Sequence, residues 1–167
     1  VEDDVTAYLE FENGATGVFV TTTGDAPGTN RFEVTGTKGK LVCENDQLTF
    51  WKLGMDEREF CRTAKEGFAK PECQEIQVET DGENQQHVGV LNAFAGKILR
   101  GTPLVADGKE GINGLTLSNA MHLSSWLKHP VEIPFDEDLF LAELDKRRAT
   151  SRKKESQEIT FSTEGSY

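Results

Sequence analysis

The sequence predicts an α+β fold: an open, mostly antiparallel β-sheet with helices packed on one of its faces. Two observations carry this reading. Before Asn84, apolar and polar residues alternate in short runs set apart by turn residues, the period of strands. From Asn84 onward, apolar residues recur at three- and four-residue intervals, the period of helices. Strands grouped first and helices after them make an α+β order, not the strand–helix alternation of a parallel sheet.

The stretch "DVTAYLEFENGATGVFVTTT" alternates on both sides of Asn13-Gly14, a strong hairpin signal. A two-residue loop there would pair Glu12 with Ala15, and hence Leu9 with Val18, Ala7 with Val20 and Tyr8 with Phe19. Val5, Ala7, Leu9, Val18 and Val20 would then form the core face, with Tyr8 and Phe19 on the other. "GDAPGTN" is a loop by composition. Arg31 to Thr35 alternates again, "GTKG" turns, Lys40 to Glu44 runs back, and Asn45-Asp46 leads into Gln47 to Leu53. A two-residue loop at Asn45-Asp46 sets Leu41 opposite Phe50 and Cys43 opposite Leu48, with Val42 and Trp51 pointing the other way. The polar stretch from Gly54 to Cys73 gives no clear element, and "QEIQVET" reads as a strand.

Val88, Leu91, Ala95, Ile98 and Leu99 fall at helical spacing, with a stop at Gly101 before Pro103. Asp107 and Glu110 form a capping-box pattern, opening a helix that carries Ile112, Leu115, Ala120, Leu123 and Leu127 and ends at His129-Pro130. "VEIPF" reads as a short edge strand, because Pro134 cannot donate to a ladder. A last helix starts near Asp136 and is expected to bury Leu139, Phe140 and Leu144. Six of the 18 basic residues lie in "DKRRATSRKK", so the domain is read as residues 1–144 and the remainder, 145–167, as a basic and then polar tail.

At 167 residues the chain can bury a real core. A net charge of −11 argues against general affinity for nucleic acid or anionic membrane. No membrane span or signal peptide is written in it, and it is read as cytoplasmic. Cys43, Cys61 and Cys73 lack CxxC spacing and read as buried or incidental thiols, while His87, His122 and His129 are scattered, so no metal site is expected. The glycines of "DGKEGINGL" give no GxGxxG, and no GxSxG or HExxH occurs. Ser124 and Ser125 near His122 lack the acid of a triad. No catalytic residue is expected in this chain.

The order "VEDDVTAYLEFENGATGVFVTTT", "NRFEVTGTKGKLV" and "LNAFAGKILRGTPLVADGKEGINGLTLSNAMHLSSWLKHPVEIP" resembles the C-terminal domain of the Gfo/Idh/MocA oxidoreductases, the glucose–fructose oxidoreductase and inositol dehydrogenase family. The resemblance runs from Val1 to Leu144. It implies an N-terminal Rossmann domain that binds NAD or NADP, a sugar or polyol held between the two domains, and hydride transfer from a carbinol to the nicotinamide. It also implies a Lys in a Glu-Lys-Pro motif and an Asp-x-x-x-His pair. Neither is present: Glu83, Ser118 and Ser125 stand four residues before the histidines, and "AKP" at Ala69 to Pro71 falls between strands of the wrong domain.

Because the chain opens at Val1 and alternates as a strand almost at once, it is read as the substrate and oligomerisation half of such an enzyme, inactive and without bound cofactor by itself. By this resemblance Asp25, Thr29, Asn30 and Arg31 of the loop after the hairpin are the substrate-binding candidates. The plainer alternative has Asp25 and Asn30 satisfying turn backbone and Arg31 pairing with a carboxylate on a neighbouring strand. The mixed sheet face with Tyr8, Phe19, Val42 and Trp51 is the candidate homo-oligomer interface, unless the segment Gly54 to Cys73 covers it. The rival reading is a non-enzymatic dimerisation or small-molecule-binding module using the same sheet.

Overall fold

The computed structural model describes residues 3–83 and 85–152. Its element order is β1 (Asp4–Glu10), β2 (Thr16–Thr22), β3 (Arg31–Gly36), β4 (Gly39–Glu44), β5 (Gln47–Leu53), α1 (Glu57–Thr63), β6 (Cys73–Val78), α2 (Gln86–Arg100), α3 (Gly111–Leu127) and α4 (Glu137–Thr150). All strand pairings are antiparallel and neither sheet closes into a barrel, so the α+β class holds. The strands form two sheets instead of the single expected one: the hairpin β1–β2, and a four-stranded sheet in the order β3-β4-β5-β6. The described residues divide into two compact units, one up to Thr102 and the other from Pro103. The expected boundary after Leu144 falls inside α4, and the tail from Lys153 lies outside the described residues.

In the first unit, the β1–β2 hairpin is one residue out of the expected register. Ala7 faces Phe19, Tyr8 faces Val18 and Leu9 faces Gly17. The reason lies in the turn. The Gly14 N–H donates to the Phe11 carbonyl (2.8 Å), the Phe11 N–H donates to the Ala15 carbonyl (2.9 Å), and in this turn only Gly14 takes a positive φ, 83°. That is a three-residue loop with a glycine bulge, where a two-residue loop would need positive φ at both Asn13 and Gly14. A slip of one residue exchanges the faces of β2. Val18 and Val20 join Tyr8, and Phe19 joins Val5, Ala7 and Leu9. Tyr8 and Phe19 are therefore on opposite faces of the hairpin, not side by side.

The four-stranded sheet keeps the expected register. Asn45 and Asp46 both have positive φ (53° and 58°), the two-residue turn that carries β4 into β5. Leu41 faces Phe50 and Cys43 faces Leu48. At the β3–β4 turn, Gly39 has φ 145°, and a Cβ there would lie 2.2 Å from the Trp51 carbonyl oxygen. Only glycine fits that approach.

Helix α1 occupies the polar stretch that the sequence left without an element. Asp56 is its N-cap, accepting from the N–H groups of Arg58 (3.0 Å) and Glu59 (3.4 Å). The Thr37 hydroxyl and these two N–H groups hold the Asp56 carboxyl below the usual range. β6 forms within the stretch where "QEIQVET" was expected to be a strand, and it pairs with β5. α2 ends as expected at Gly101, left-handed at φ 69°. Its apolar residues Val88, Leu91, Ile98 and Leu99 are exposed, so it does not supply the expected covering layer for the sheet.

In the second unit, Asp107 and Glu110 make the expected capping box, around a short 3-10 turn that runs into α3. Leu123 and Ala120 are buried, Leu123 at 1% exposure. Trp126 stacks on Phe140 of α4 with centroids 5.5 Å apart, Phe135 lies 5.9 Å from Phe140, and the Arg147 guanidinium sits 4.2 Å from the centre of the Trp126 ring. Asp136 caps α4 by accepting from Asp138 and Leu139. Phe140 and Leu144 are half-buried, but Leu139 is exposed. "VEIPF" is not a strand: Pro134 offers no N–H, and among the described residues this unit has no strand for it to pair with. Glu143 receives Lys146 and Arg147, which together hold its carboxyl below the usual range, so part of the basic run is neutralised within α4.

Candidate functional site

Three of the four substrate-binding candidates lie on the loop between β2 and β3, and Arg31 opens β3. Asp25, Thr29 and Asn30 are exposed, with no side-chain hydrogen bond among the described residues. Arg31 is engaged. Its Nη1 donates to Glu44 Oε2 (2.7 Å) and its Nη2 to Glu33 Oε2 (2.5 Å). Arg31 lowers the Glu33 pKa below the usual carboxylate range, and Glu33 in turn raises that of Arg31. The carboxylate on a neighbouring strand that the plainer reading expected is thus Glu44 of β4.

These contacts belong to one face of the four-stranded sheet, which the register defines. It carries Arg31, Glu33 and Thr35 from β3, Lys40, Val42 and Glu44 from β4, Thr49 and Trp51 from β5, and Glu75 and Gln77 from β6. Lys40 lies 3.7 Å from Glu33 and 4.9 Å from the Trp51 ring centre, and the Thr49 hydroxyl donates to Gln77 Oε1 (3.1 Å). Val42 is only 4% exposed here. Of the four interface candidates, Val42 therefore has almost no surface to offer a partner and Trp51 is half-buried beside Lys40, while Tyr8 and Phe19 sit on opposite sides of the separate hairpin.

The opposite face was not singled out in the sequence. Phe32 and Val34 face Cys43 and Leu41, which face Leu48 and Phe50, which face Val78 and Ile76. No charged residue interrupts these eight positions. Phe32 is 70% exposed and Val34 49%, and Leu41 and Val78 are also exposed. A concavity of about 330 Å³ opens where Val34, Leu41 and Phe50 meet the Gly36–Lys40 turn. The signal that finds this face is alternation summed over all four strands, once the turns have set their register.

Among the described residues no group of three His, Cys, Asp or Glu side chains could hold a metal ion. Cys43, Cys61 and Cys73 are free and exposed, not buried; Cys61 Sγ donates to Glu57 Oε1 (3.0 Å), and that carboxylate raises the thiol pKa. The Ser124 hydroxyl donates to the His129 carbonyl (2.8 Å), and His122 packs its ring 5.6 Å from Trp126. Among the described residues, no helix is long and apolar enough to cross a membrane.

Residues 1–42 match the family model of the GFO/IDH/MocA C-terminal domain. That match supports a Gfo/Idh/MocA C-terminal domain. The family is generally one of NAD(P)-using oxidoreductases. The matched segment takes in the β1–β2 hairpin, the loop with Asp25, Thr29 and Asn30, strand β3 with Arg31, and β4 as far as Val42. No curated protein matches the chain.

Proposed function

We propose that this chain is the substrate-binding and oligomerisation half of a nicotinamide-dependent oxidoreductase acting on a sugar, a polyol or a related compound. The observation that carries the reading is the Gfo/Idh/MocA C-terminal match over residues 1–42. In the complete protein a Rossmann domain holds NAD or NADP, and hydride passes from a substrate carbinol to the nicotinamide. This chain contributes the loop from Gly24 to Asn30, whose Asp25, Thr29 and Asn30 side chains are free to hydrogen-bond substrate hydroxyls. Arg31, tied to Glu33 and Glu44, fixes the strand onto which that loop feeds. Copies associate through the four-stranded sheet, and the Phe32, Val34, Leu41 and Phe50 face is the better suited of its two faces. Its apolar side chains have no polar partners to lose, and aromatic residues are favoured at interface cores.

The gene upstream of Val1 tests the reading. A strand, a GxGxxG turn and a helix, followed by a Glu-Lys-Pro and an Asp-x-x-x-His, are expected there. A start codon at Val1 would favour the stand-alone binding module instead.

A further inference from the structure

We draw no further inference here: the strongest candidate, the uncovered apolar face of the four-stranded sheet around Phe32, Leu41 and Phe50, is the surface already given to self-association, and nothing in the structure shows any other occupant.

Discussion

The two faces of the four-stranded sheet are made by the same strands, yet they have opposite fates. On one face, Arg31, Glu33, Glu44 and Lys40 bond to one another above a nearly buried Val42, and Lys40 lies by the Trp51 ring. On the other, Phe32, Val34, Leu41 and Val78 remain open to solvent. The comparison teaches that the presence of an aromatic residue does not mark a docking surface. Trp51, the larger aromatic, sits within a face that satisfies itself, whereas Phe32 sits on a face that can gain stability only from a partner.

The largest effects should separate the faces by stability. Val42→Ala removes two methyl groups from a buried site and should cost about 1.5–3 kcal/mol in urea unfolding. Phe32→Ala should change the unfolding free energy of the monomer by less than about 0.5 kcal/mol, as exposed substitutions usually do. Equal costs would erase the distinction. Gly39→Ala should be comparably severe, about 1–3 kcal/mol, because its Cβ meets the Trp51 carbonyl at a positive φ; thermal unfolding would report it.

Association should separate the faces the other way. Phe32→Glu should shift the sedimentation profile toward monomer, weakening association at least about tenfold, since burying a phenylalanine contributes about 1.5–3 kcal/mol. Trp51→Glu should lower the melting temperature more than it lowers the dimer fraction. The reverse ranking would move the interface to the polar face.

Of the two sheet faces, acid should act on the polar one, and weakly, beside the contributions of Asp56 and Glu143 elsewhere in the chain. Glu33 has a depressed folded pKa, so its contribution is present above the unfolded carboxylate pKa and is lost as pH falls through the folded value. Melting temperature should decline over that acidic window, and Glu33→Gln should flatten the decline. Because the pair is exposed the change should be small.

What the sequence made legible follows local chemistry. Asn45-Asp46, Gly101 and the Asp107–Glu110 box each act within a few residues of chain, and each sits as expected. Asn13-Gly14 misled because the same dipeptide serves a two-residue turn or the end of a three-residue one, and that choice sets the faces of Phe19, Val18 and Val20. Helix α1 was hidden by its polarity, although Asp56 followed by Glu57 and Glu59 is a readable start. "VEIPF" alternated like a strand, but alternation does not provide a neighbour. For the candidate site, the loop could be located from composition, whereas the partnering of Arg31 by Glu44 required the β3–β4 register.

The smallest expected effect probes that loop. In the complete enzyme, Asn30→Ala should lower kcat/KM several-fold with cofactor affinity unchanged, the loss of one hydrogen bond worth about 0.5–1.5 kcal/mol. Arg31→Ala should act as well, by releasing the strand from Glu44. Unchanged kinetics in both variants would place the substrate elsewhere.

If this chain is, as we propose, the C-terminal half of a nicotinamide-dependent oxidoreductase, the parent protein should depend on it for turnover. The most direct measurement is reduction of NAD or NADP by the full-length gene product, followed by absorbance over a panel of sugars and polyols, with and without residues 1–167. Substrate-dependent reduction that disappears with the deletion is the predicted result. A full-length product that neither binds nor reduces either nucleotide, or one whose kcat/KM survives the deletion unchanged, would contradict it.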